Sequence, residues 1–129
     1  MPSSISFDAT AGFIAVVHHG IDDQPSLKNI LLEVVRLIKE HGCYLILSDY
    51  RDAVVSMTPA AIYEYPKEAA EAASAAGIKS ENIKQAVVLS DKSPNLSGFQ
   101  FYETVSLNRG RAVKVFCDID QAIEWLTGK

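Results

Sequence analysis

At 129 residues, 48% apolar and 22% charged, the chain has the length of one ordinary domain and too many apolar side chains to stay disordered. Twelve Lys and Arg against sixteen Asp and Glu leave a formal charge of −4. That balance supplies no basic footprint for nucleic acid or an anionic membrane surface.

Two short β-branched stretches open the chain. Ile5 to Phe7 and Gly12 to His19 read as strands, and the few residues between them suit a hairpin. His19-Gly20 and Asp22-Asp23 mark a loop. From Gln24 to His41, Leu27, Ile30, Leu31, Val34, Val35 and Ile38 recur at helical spacing and form one broad apolar face. Asp23 is placed to cap this helix, Pro25 falls in its first turn, and Gly42 stops it. Cys43 to Ser48 is a continuous apolar run of strand length, as expected for a strand covered on both faces of a parallel sheet. Asp49 to Met57 reads as a polar loop broken by Val54 and Val55. Thr58-Pro59 opens an alanine-rich helical stretch to about Ala76, in which Pro66 predicts a kink or a division into two helices. Lys84 to Ser90 is another buried strand, Leu96 to Asn108 a helix ended by Gly110, and Ala112 to Cys117 a strand. Asp118 caps a last helix, with Gln121 at the capping-box position and Gly128 at its end.

The order is thus hairpin, then repeated helix and strand. It predicts a single α/β domain over residues 1–129, with a mostly parallel five-stranded sheet and four to five helices joined by right-handed crossovers. The opening MPSSISFDAT lacks a basic segment followed by an apolar core, and no apolar run approaches the ~20 residues that span a bilayer. A cytoplasmic protein with no integral membrane span is expected. Cys43 and Cys117 both lie in apolar runs and read as buried free thiols.

Motifs that carry chemistry are missing. There is no phosphate-binding glycine loop, no C-x-x-C, no H-E-x-x-H and no G-x-S-x-G. His18 and His19 are adjacent in a strand and point to opposite faces, so they do not share a metal. Asp49 and Asp52, with Arg51 between them, follow a buried strand, where open α/β sheets place their ligands. A receiver-type phosphoacceptor aspartate would sit there too, but it needs an acidic pair after the first strand, and that region reads VVHHG. No catalytic residue, metal ligand or cofactor is assigned, and a non-enzymatic role is expected. Thr58 serves as a helix N-cap, and a phosphate on Thr58 or Ser56 would meet the unsatisfied N–H groups of the helix start. Tyr63, Tyr65, Phe99 and Tyr102 line a core or a groove. Because Phe99 and Phe101 are two apart on a helix, one of them faces solvent, which suggests a partner or dimer patch.

The opening hairpin ISFDATAGFIAVVHHG, the helix LKNILLEVVRLIKEHG, the strand CYLILSDYRD followed by MTPAAIY, and the final VKVFCDIDQAIEWL together resemble the STAS-like, SpoIIAA-like group. That group is related to sulfate-transporter and anti-sigma-factor-antagonist domains. The resemblance implies a regulatory, protein-binding module with an unidentified protein partner. In that group a D-S-S-G-type turn presents a phosphorylated serine at a helix start. Here the matching residues are Ser56-Met57-Thr58-Pro59, which places Thr58 at the phosphoacceptor position with Ser56 and Pro59 departing from the pattern. The expected interaction face is the loop 49–58 with the start of the following helix. By analogy with the SEC14/CRAL-TRIO-like fold, the alternative is a small apolar or lipid-like ligand held between sheet and helices near Tyr63, Tyr65, Phe99 and Tyr102.

Overall fold

The computed structural model describes residues 3–128. Strand β1 (Ser3–Asp8) pairs antiparallel with β2 (Phe13–Asp22) through a turn in which the Asp8 carboxylate accepts from the N–H groups of Thr10 and Ala11. Gly12 turns the chain back with φ of 82°, a conformation that costs other residues a steric clash. Helix α1 (Gln24–His41), strand β3 (Leu45–Val55), helix α2 (Pro59–Ala75), strand β4 (Lys84–Val88), helix α3 (Leu96–Asn108), strand β5 (Ala112–Phe116) and helix α4 (Ile119–Thr127) follow. The caps are those the sequence implies. Asp23 accepts from Ser26 N–H at 3.0 Å, Gly42 closes α1 in the left-handed region, and Asp118 accepts from Asp120 and Gln121 N–H. The return bond of a capping box, from the Gln121 side chain, is not formed among the described residues.

The sheet order is β1-β2-β3-β4-β5, with β2 to β5 parallel. This order dictates the layering. Each crossover steps the chain one strand in the same direction, and right-handed crossovers then put α1, α2 and α3 on one face. Alternation along the strands separates the two cores. Ile14, Val16 and Ile46 face the three-helix layer with Val34, Val35 and Ile38 of α1. Phe13, Leu47, Ala86 and Val88 face the other way, where Ala122 and Leu126 of α4 cover them.

Three sequence expectations need correction. Residues 49–55 are not a loop: β3 continues to Val55, and β2 likewise continues through His19 and Gly20 to Asp22. Past Asp49, β3 has outrun β4 and pairs only with β2, as His19↔Asp52, Gly20↔Ala53, Ile21↔Val54 and Asp22↔Val55. The cross-strand apolar pair of Ile21 and Val54 extends the ribbon despite its polar neighbours. Second, Pro66 does not divide α2 into two helices: the helix runs from Pro59 to Ala75. A proline removes one N–H donor, and here it is buried in the helix layer, so packing offsets the lost bond. Third, Cys117 is exposed, because it lies beyond the end of β5. Cys43 is half-buried, and both thiols are free.

Candidate functional site

The ribbon carries the charged residues that the sequence singles out. Between the pairs Val17↔Asp49 and His19↔Asp52, β3 holds one residue more than β2, a bulge centred on Tyr50 and Arg51. The bulge turns Tyr50 inward, where its ring stacks on His18 at 3.8 Å. His18 is buried and His19 exposed, as their alternation requires. Asp49 is mostly buried. Arg51 Nε and Nη2 donate to its two carboxylate oxygens at 2.9 and 2.8 Å, and the Arg51 backbone N–H donates at 3.1 Å. Burial pushes the Asp49 carboxyl up. The Arg51 hydrogen bonds and charge, with a smaller pull from His18, outweigh it and hold Asp49 below the usual carboxylate range. Asp52 is exposed and adds a smaller electrostatic pull on Arg51. Asp49 and Arg51 thus neutralise each other in a structural ion pair.

The depressed Asp49 fixes the sign of a pH effect. Its contribution is fully present above the ordinary aspartate value of 3.8 and is lost as pH falls through its lower folded value. Urea midpoints of wild type and Asp49→Asn should therefore differ at pH 7 and converge toward pH 3. A constant gap across that range would remove the carboxylate from the account.

Thr58 Oγ1 accepts from Ala61 N–H at 3.1 Å with extended backbone at Thr58, and Pro59 begins the helix. Thr58 and Ser56 are both exposed, and the first turn of α2 carries no acidic side chain. The N-cap role is therefore met, and the hydroxyl stays accessible at the positive end of an unneutralised helix dipole. Loss of this cap by Thr58→Ala should lower stability by about 1 kcal/mol, with Thr58→Ser close to wild type in thermal unfolding.

Three of the four aromatics come together. Tyr65, Phe99 and Tyr102, with Leu27, Tyr50 and Met57, line an apolar cleft of about 60 Å³ between the sheet and the α2–α3 pair. The close neighbours of α2 are α1 and α3, so it spans the gap between them, and large side chains fill the space beneath. An engineered apolar cavity that admits benzene measures ~150 Å³, so the cleft as it stands is too small for a lipid tail. Tyr63 is not part of it. It lies 49% exposed beside Phe101, ring centroids 6.4 Å apart, with the Arg109 guanidinium over its face. Of the pair on α3, Phe101 is the one facing solvent, and Leu107 lies exposed on the same helix.

A polar cluster that sequence reasoning missed sits at the inner end of the gap. Gln85 Nε2 donates to Ser48 Oγ at 3.0 Å, Tyr102 Oη donates to Gln85 Oε1 at 2.8 Å, and Arg111 Nη1 donates to Tyr102 Oη at 3.2 Å. The strand phase could have exposed Gln85: it shares parity with buried Val87 in KQAVVLS and so points into the core. Arg111 directly follows a glycine outside any periodic run, and nothing in the sequence signals its burial. No group of three or more His, Cys, Asp or Glu side chains that could hold a metal ion occurs among the described residues.

A sheet led by a hairpin, stepping in one direction, with three helices on one face and one on the other, defines a class of small α/β domain. The chain has the SpoIIAA-like, STAS-like fold. Over 98% of its length it is similar to the anti-sigma factor antagonist SpoIIAA in its unphosphorylated form, at 12% identity and a TM-score of 0.54, covering 99% of that chain. An uncharacterised protein of SpoIIAA-like fold from Shewanella loihica matches 96% of the chain at 15% identity and a TM-score of 0.57, covering 91% of its own length. An anti-sigma factor antagonist from Mycobacterium paratuberculosis matches 96% at 10% identity and 0.53, covering 92%. No protein-family model matches the sequence, and neither does any curated protein. No helix among the described residues is long and apolar enough to cross a membrane.

Proposed function

We propose that this chain is a non-enzymatic, cytoplasmic regulatory module that docks a protein partner through the end of the β2–β3 ribbon and the start of α2. The observation that carries the reading is Thr58: an exposed hydroxyl that caps a helix whose first turn lacks acidic side chains. A phosphate there gains the helix N–H groups and dipole while adding nearly two negative charges to the surface. Beside it the ribbon exposes Ile21 and Val54, 73% and 42% accessible, apolar residues of the kind that anchor a docking surface. The likeness of fold to anti-sigma factor antagonists supports the same role, with Thr58 as phosphoacceptor, Ser56 as its neighbour, and Arg51 and Asp52 on the docking face. Asp49 holds Arg51 in place.

The test is affinity capture from the native cell with wild type, Thr58→Ser and Thr58→Glu. A partner retained by wild type and Thr58→Ser, and weakened at least tenfold by Thr58→Glu in a protein that stays folded by circular dichroism, supports the reading. Equal capture by all three moves the docking face elsewhere.

A further inference from the structure

Arg111 is 6% exposed, and an arginine guanidinium stays charged in proteins. It has no carboxylate partner among the described residues. Its Nη1 and Nη2 reach only the neutral Tyr102 Oη, at 3.2 Å, and Gln85 Oε1, at 3.5 Å, and its buried Nε has no hydrogen-bond partner. Asp49, next to Ser48 in the chain, holds Arg51, and Glu103, next to Tyr102, accepts from Val115 N–H. A buried charge is normally paired.

The hydrogen bonds around Arg111 run in one direction. Tyr102 spends its proton on Gln85 Oε1, and Gln85 spends an N–H on Ser48 Oγ. Among Ser48, Gln85, Tyr102 and Arg111, what remains on offer is donors: the Ser48 hydroxyl proton and the Arg111 Nε–H. Both residues line a second small cavity of about 40 Å³. Tyr50, Tyr65, Gln85 and Tyr102 are walls of both this cavity and the apolar cleft, so the two are adjoining parts of one gap under α2.

We propose that this gap binds a small aliphatic monocarboxylate, its carboxylate on Arg111 and Ser48 and its tail toward Leu27, Met57 and Phe99. The planar guanidinium fork matches a carboxylate, and the charge of the pair then cancels inside the fold. Both spaces together fall short of the ~150 Å³ that holds benzene, which limits the tail to a few carbons. The site is independent of docking at Thr58, and either can fail without the other.

Titration calorimetry with acetate, butanoate, butanol and sodium chloride decides it. The acids should bind, butanoate more tightly by about fourfold for each methylene that stays in the cleft. Butanol should bind at least tenfold more weakly than butanoate. Arg111→Met should abolish selection of acid over alcohol, and because it removes a buried unpaired charge it should unfold at no lower temperature than wild type. Should that variant not fold, Ser48→Ala must weaken butanoate severalfold, and nuclear Overhauser contacts between the butanoate chain and the Met57 methyl group must appear in the wild type. No acid binding, acid and alcohol binding alike, chloride competing as strongly as butanoate, or butanoate affinity indifferent to both variants overturns the proposal.

Discussion

Leu126→Ala should be the most destabilising single truncation on the α4 side of the sheet. Leu126 is 2% exposed and, with Ala122, is one of two fully buried residues on α4, the helix that shields Phe13, Leu47, Ala86 and Val88. Three helices share the opposite face, so a cavity there has several neighbours that can close on it. Beneath α4 the facing residues include Ala86 and Val88, small side chains fixed in central strands, and little can move into the space. Large-to-small core changes of this type cost ~2–5 kcal/mol, more where the site collapses poorly, and the upper half of that range is expected. Against a typical total of ~5–15 kcal/mol this should appear as a drop of ten degrees or more in the unfolding midpoint. Leu32→Ala on the exposed side of α1, where Leu32 is 53% accessible, supplies the control and should change stability by less than ~0.5 kcal/mol. If the two truncations cost the same in urea titrations, α4 is not the cover that the packing indicates.

The second large effect is expected at Asn95. Past Asp49 the β3 edge has no strand beside it, and a backbone edge left bare near a core is costly. Asn95, just before α3, takes the place of a strand. Its Oδ1 accepts from Val55 N–H and its Nδ2 donates to Val55 C=O, both at 2.8 Å. One side-chain amide thereby reproduces a pair of ladder bonds and ties the far end of the ribbon to the start of α3. Asn95→Ala removes both and leaves a part-buried donor and acceptor unmatched, at a combined cost of ~2–3 kcal/mol. The loss should also be local. Amide exchange at Val55, and at the β2 amides paired with this end of β3, should quicken more than exchange at Val87 in the sheet centre. Uniform acceleration across the sheet would mean that Asn95 acts on global stability alone and does not pin the ribbon.

Helix limits were legible because caps are local. Asp23, Gly42, Thr58-Pro59 and Asp118 set the ends of α1, α2 and α4 by hydrogen bonds and backbone preferences reaching three or four residues. Strand limits were less so. Asp49, Arg51 and Asp52 are poor strand formers in isolation, and the residues that extend β3 through them, Ile21 and Val54, lie more than thirty positions apart in the chain. Pro66 misled for a similar reason: its penalty within α2 is local, while the burial that offsets it is tertiary. The candidate site divides along the same line. Thr58 was identified from the residues after it, and Tyr65, Phe99 and Tyr102 from their type. The exclusion of Tyr63 from the cleft, and the burial of Arg111 beside Gln85 and Ser48, depend on which helix lies over which strand.

The sequence by itself determined the alternation of strand and helix, the leading hairpin and the helix caps, since periodicity and capping act within a turn or two of the chain. Only the tertiary structure decided the unidirectional strand order, which collects three helices on one face, leaves α4 alone on the other, and holds α2 across a gap where a charged side chain is enclosed. Such features arise from packing between segments tens of residues apart, and no short-range preference encodes them.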